Sequence, residues 1–207
     1  TGYWVLGTSP AAPAEAWPEF RGPTGDGVST AKSVPTKWSE TENVRWKTPI
    51  HDKGWSSPVV WGDQVWVTTA AEDGKKYYAV CLDKTTGKVV FDLHLFDEPS
   101  PPDIRQFNSY ASPTPAVEAG RVYAHFGSHG TTCLDTATGK KVWERRDLKC
   151  NHFRGPASSP VVYRDWLFLH FDGFDRQYTA CLNKHTGATV WEKDRDFVYK
   201  PDNGDYK

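Results

Sequence analysis

Methionine is missing from this chain of 207 residues, position 1 included. A translation product begins with methionine, so an N-terminus at Thr1 reads as processed or cut. No apolar run approaches the roughly 20 residues that a membrane-spanning helix needs, which removes a transmembrane helix from the reading. Apolar residues nowhere recur at helical period, and 17 Gly and 15 Pro interrupt the chain throughout. A dominant charge is absent as well, because 25 Lys plus Arg stand against 26 Asp plus Glu for a net charge of −1. So balanced a chain has no long-range field to gather nucleic acid or an anionic membrane. The 4 cysteines are neither adjacent nor spaced Cys-x-x-Cys, which leaves zinc-ribbon and thioredoxin-type chemistry without a motif.

What the chain does have is aromatics, 14% of its residues, within a hydrophobic content of only 38%. A core built from aromatic and β-branched side chains favours strands, and an all-β class follows. One sentence is then written three times: CLDKTTGKVVF at 81–91, CLDTATGKKVW at 133–143 and CLNKHTGATVW at 181–191. Each copy is preceded by a second shared phrase, SPVVWGDQVWVTT, TPAVEAGRVYAHF or SPVVYRDWLFLHF. Self-similarity at about 40–50 residues is the signature of propellers and solenoids. Each unit parses as four short strands with a Pro opening the first and a Gly turn before the last. Asp83, Asp135 and Asn183 stand where a side-chain oxygen can bond the turn's own backbone, and Gly87, Gly139 and Gly187 supply positive φ. Phe91, Trp143 and Trp191 then emerge on one common face, which a single sheet cannot bury alone.

The pattern small-Leu-(Asp/Asn)-x-x-Thr-Gly-x-x-x-Trp resembles the repeat of the pyrroloquinoline quinone (PQQ)-like β-propellers, of the quinoprotein alcohol dehydrogenase-like superfamily. The resemblance runs from about residue 44 to 193. It departs at Cys81, Cys133 and Cys181, where the family usually has Ala, and at Phe91, where it has Trp. WPEFRGPTGDGVS, from Trp17, is similar to the opening of exported bacterial propellers of this kind. The resemblance implies blades at about 55–96, 110–148 and 157–197, with the last aromatic of each docking on its neighbour. NVRWKTPI at 43–50 reads as an orphan fourth strand with Trp46 in the docking place. A propeller needs at least about four blades, so 17–207 is expected to be a partial ring, a piece of a longer protein. The first 16 residues read as the remnant of an export signal, ending in the Ala14-Glu15-Ala16 of a signal-peptidase site, or else as an Ala/Pro linker.

Chemistry has few candidates. The repeated cysteines fall one per blade, too far apart to pair, and read as buried thiols, whereas Cys150 sits in a connecting loop open to solvent. His125 and His170 occupy matching places, each ten residues after its blade's Pro, at strand ends that could share a cavity. His129, His152, Asp172 and Asp175 lie in nearby loops, and Arg105, Asn108 and Arg154 in the long inserts before the second and third blades. These residues form the expected binding rim. Their spacing matches no metal motif, and no catalytic residue is assigned.

Two functions remain. One is an exported, non-catalytic propeller, periplasmic or extracellular, that presents its loops to a protein or glycan. It is similar to the lipoprotein propeller of outer-membrane assembly, and no cofactor is predicted for it. The alternative is a quinoprotein dehydrogenase, for which the resemblance implies PQQ over a Trp with calcium, carboxylate ligands and an Asp base.

Overall fold

A computed structural model describes residues 16–152 and 154–195. The export-signal reading of 1–16 therefore lies, Ala16 apart, outside the described residues. Twelve strands make three four-stranded antiparallel sheets, each meandering in chain order. The first sheet holds β1 (Val59–Trp61), β2 (Gln64–Ala70), β3 (Lys76–Asp83) and β4 (Val89–Asp97). The second holds β5 (Ala116–Glu118), β6 (Arg121–His125), β7 (Thr131–Asp135) and β8 (Lys141–Arg145). The third holds β9 (Val161–Tyr163), β10 (Trp166–Asp172), β11 (Gln177–Asn183) and β12 (Thr189–Asp194). This is the blade pattern the repeats called for.

The triplicated turn is one hydrogen-bonding device. Asp83 Oδ1 accepts from the Thr86 N–H and hydroxyl, both at 2.7 Å, which holds its carboxyl below the usual range. Asp135 does the same with Thr138, at 2.8 Å for each bond, and Asn183 Oδ1 takes the His185 and Thr186 N–H groups. The glycine closing each turn has φ of 70°, 70° and 73°. One step back lies a register shift, at Cys81/Leu82, Cys133/Leu134 and Cys181/Leu182. Each cysteine faces its blade's docking aromatic directly: Cys81 opposite Phe91, Cys133 opposite Trp143, Cys181 opposite Trp191. A small side chain there leaves the ring room to lie across toward the next sheet. Burial pushes the Cys81 and Cys133 thiols up to about 12, and all four cysteines are free.

The core lies between sheets. Trp66, Tyr77, Ala79 and Cys81 of the first meet Val122, Ala124 and Leu134 of the second. Tyr123, Cys133 and Trp143 of the second meet Leu167, Leu169, Phe171 and Leu182 of the third. Fully burying one such large side chain is worth about 1.5–3 kcal/mol. The outward face of the third sheet is uncovered among the described residues, with Trp191 43% exposed.

Residues 43–50 correct the reading from sequence, since they form no strand. Trp46 still docks, with its indole N–H donating to Lys84 O at 2.9 Å and its ring against Gly87. The Thr48 hydroxyl donates to Gly87 O at 2.6 Å and Ile50 packs beside the ring, so side chains fix the segment without a backbone ladder.

The opening segment closes the inner edges. Trp17 exchanges backbone hydrogen bonds with Val60 at 2.9 and 2.8 Å, and Val117 N–H donates to Pro18 O at 2.8 Å. The Glu19 carboxylate accepts from the Val162 backbone. Val60, Val117 and Val162 each stand two residues after their blade's Pro, on its first strand. Three consecutive residues thus satisfy the same edge position of three sheets, which an open sheet edge requires.

Candidate functional site

The loops gather at one end of the sheets in two linked groups. The insert before the second blade is fastened to the insert before the third: Asn108 Nδ2 donates to Arg154 O at 2.6 Å, and Gly155 packs against Asn108 and Ile104. Asn108 Oδ1 meanwhile accepts from the Ser109 N–H at 2.8 Å and from the Ser112 hydroxyl. Arg105, Asn108 and Arg154 are thus brought together, with the Asn108 amide used to hold the loops in place. Beside them opens a cleft of about 470 Å³ lined by Lys53, Glu72, Asp73, Asp103, Arg105 and Tyr110 among others.

The second group lies at the end of the second sheet, with His125 and His152 toward the third sheet and His129 toward the first. His125 is 1% exposed, shares a hydrogen bond with Thr131 at 2.8 Å and meets Phe171 edge-on at 5.6 Å. Its Nε2 is buried without a hydrogen-bond partner. His129, 3% exposed, stacks on Tyr77 at 5.2 Å. His152 Nε2 accepts from Ser128 N–H at 3.1 Å and lies 3.5 Å from Cys150 Sγ. Burial, aided by His152 and His129, depresses His125 to about 3. Burial and the nearby His152, Lys149 and Arg146 take His129 to about 3 as well. Burial lowers His152 too, partly opposed by Asp172 and Asp175. Three imidazoles are thereby held neutral at neutral pH, as packing and hydrogen-bonding groups.

Several rim residues sit elsewhere than the sequence suggested. His125 and His129 are in the inter-sheet core, because Phe171 lies against the first ring and Tyr77 and Tyr110 against the second. Cys150 is likewise buried, contrary to its loop position: Ser128 bonds its backbone on both sides at 2.8 Å, and burial pushes its thiol up to about 11. His170 repeats the His125 bond, to Thr179 at 2.9 Å, but on the exposed face. It lines a separate hollow of about 370 Å³ with Glu19 and Arg21. Asp175 accepts from the Asn151 and Arg176 N–H groups, which holds its carboxyl low. Asp172 pairs with Arg195 at 2.8 Å. Lys53, Asp73 and Asp103 of the cleft escaped the sequence reading, since they come from separate segments that carry no repeat or spacing signal.

Among the described residues no group of three or more His, Cys, Asp or Glu could hold a metal ion. Calcium takes about 6–8 oxygen ligands, several of them carboxylates. Here Asp172 and Asp175 are committed to Arg195 and to backbone amides. The described residues do not fit a PQQ–calcium site.

Three antiparallel four-stranded sheets, stacked in chain order through docked aromatics, define a β-propeller of PQQ-like repeats. The chain belongs to the PQQ-like repeat family whose model, described as outer membrane protein assembly factor BamB, matches residues 39–196. No curated protein matches it. Among solved structures it is similar to the quinohemoprotein alcohol dehydrogenase from Comamonas testosteroni, at 18% identity and a TM-score of 0.51, over 69% of this chain and 21% of that one. A europium-containing methanol dehydrogenase gives 18% identity and a TM-score of 0.47, over 66% and 24% of the two chains. BamB from Moraxella catarrhalis gives 16% and 0.44, over 76% and 57%. The chain therefore spans between 21% and 57% of the length of these structures. No helix among the described residues is long and apolar enough to cross a membrane.

Proposed function

We propose that the chain is the propeller portion of an exported, non-catalytic binding or assembly scaffold that engages its partner through the loops at one end of the sheets. The observation that carries this reading is the mutual fastening of the two inserts, with Asn108 bonded to Arg154 O. Loops tied in advance lose little entropy on binding, which is what a recognition surface needs. The polar groups around them support the same view. His125 and His129 are neutral and buried, and Asp175 is spent on backbone amides, so none is poised for proton transfer. The match to a family described as an outer membrane protein assembly factor agrees with an exported role.

Quinoprotein dehydrogenase chemistry is the competing reading, favoured by the likeness in fold to such an enzyme. Titration of the intact protein with PQQ and calcium, followed by dye reduction with an alcohol, separates the two. The scaffold reading expects no saturable PQQ binding and no reduction. Stoichiometric binding with turnover would overturn it.

A further inference from the structure

We infer that the cleft beside the inserts is a saccharide-binding site, which rests on the binding-module reading above and names the chemistry of its ligand. The cleft's volume, about 470 Å³, lies within the range of small-ligand sites, about 300–1,000 Å³. Its charges nearly cancel: Lys53 and Arg105 face Glu72, Asp73 and Asp103. Such a lining selects neither a simple anion nor a simple cation. It offers acceptors from the carboxylates and donors from the cations side by side, which suits a neutral ligand whose hydroxyls both donate and accept.

The second observation is aromatic. Trp55 is 56% exposed and Phe107 69% exposed. Trp55 stands beside the cleft-lining Lys53, and Phe107 follows the cleft-lining Gln106 in the chain. Lys53 Nζ lies 5.4 Å over the Trp55 ring and bonds the Gln106 carbonyl, next to Phe107, at 3.4 Å. The Trp55 backbone N–H donates to Ala111 O at 3.0 Å, which ties this stretch of backbone to the end of the insert. A large flat ring left in water next to a polar cleft offers a platform for the apolar C–H face of a sugar. The floor is fixed: the Tyr110 hydroxyl donates to Pro102 O at 2.8 Å, and its ring packs against Gly74.

The test is isothermal titration of the whole chain with cellotetraose, chitotetraose and maltotetraose at millimolar concentrations. At least one tetrasaccharide is expected to bind saturably. Trp55→Ala is expected to weaken that binding at least about tenfold and Phe107→Ala several-fold, while Trp38→Ala, at an exposed indole outside the cleft, leaves it unchanged. Both cleft side chains are exposed, so their loss leaves the fold intact, checked by the melting temperature. Absence of binding by all three sugars, or binding indifferent to Trp55→Ala, overturns the proposal. A photo-reactive residue at 107 that captures a protein while all three sugars fail would remove the saccharide and leave the scaffold reading standing.

Discussion

The two junctions between sheets solve one packing problem with different groups. Between the second and third sheets, Trp143 lies on Gly187 and its indole N–H donates to Lys184 O at 2.9 Å. Two residues on, Arg145 donates to Gly187 O at 2.6 Å. Trp46 and Thr48 repeat both bonds, to Lys84 O and Gly87 O, where the opening segment meets the first sheet. Between the first and second sheets the same two positions are Phe91 and Leu93, and neither has a donor. Gln64 takes over. Its Nε2 donates to Thr136 O at 2.8 Å, the carbonyl that an indole would have reached, and its Oε1 accepts from Trp66 at 3.1 Å. What is held constant is a satisfied carbonyl beneath an aromatic ring, and the residue that supplies the donor is free to vary.

The largest effect expected from breaking this arrangement is Gly187→Ala. The position has φ of 73°, and an added Cβ would stand 2.8 Å from the Trp143 ring. Thermal or urea unfolding should show a loss of about 3 kcal/mol or more. Gly139→Ala, with the same backbone but a nearest atom at 3.1 Å on Phe91, should lose less, about 1–2 kcal/mol. Equal losses would mean that the indole contact adds nothing to the backbone strain.

Acid should act chiefly on the histidines at the end of the second sheet, where Thr131, Phe171, Asp172 and Asp175 face His125 and His152, and Tyr77, Tyr110, Lys149 and Arg146 face His129. Burial depresses His125 and His129 from the ordinary imidazole value of 6.5 to about 3 in the folded chain. The unfolded chain therefore takes up protons first as pH falls below about 6.5, so stability is full above that value and lost on the way down to about 3. The melting temperature should drop between pH 7 and pH 5, and less so in His125→Gln. A flat profile would show that these rings are not buried as described.

Gln64→Ala should come next, at about 2 kcal/mol, because it strips Thr136 O of its donor. Phe91→Trp in that background should restore part of the loss, a coupling that a double-mutant cycle reads directly. No rescue would sink the idea that Gln64 stands in for an indole. Trp143→Phe strips Lys184 O of its donor with no stand-in beside it, and should cost the same, about 2 kcal/mol.

How much of this was legible in the sequence follows from how local each feature is. The Asp-x-x-Thr-Gly turns, the strand order within each blade and the docking role of Trp46 and Trp143 could be read because repeats write them in short range. The cysteines could be read as buried, and the pairing of each with its blade's aromatic explains why a small residue sits there. Gln64 could not be found this way, since its bond to Thr136 O spans 72 residues and occurs in one blade only. Cys150 was misjudged for the same reason, because a loop's depth depends on what packs over it. The rim residues divided between a fastened pair of inserts and a buried junction, a split that no spacing announces.

By itself, then, the sequence determined the class, the repeat and the faces that must be hidden, since hydrogen bonds within turns and alternation along strands are settled among near neighbours. The tertiary structure decided which donor satisfies which carbonyl, which histidines lose their water, and where Trp55 and Phe107 remain in solvent beside a cleft. Those outcomes depend on contacts between segments 38 to 72 residues apart, and such contacts come into being only when the sheets stack.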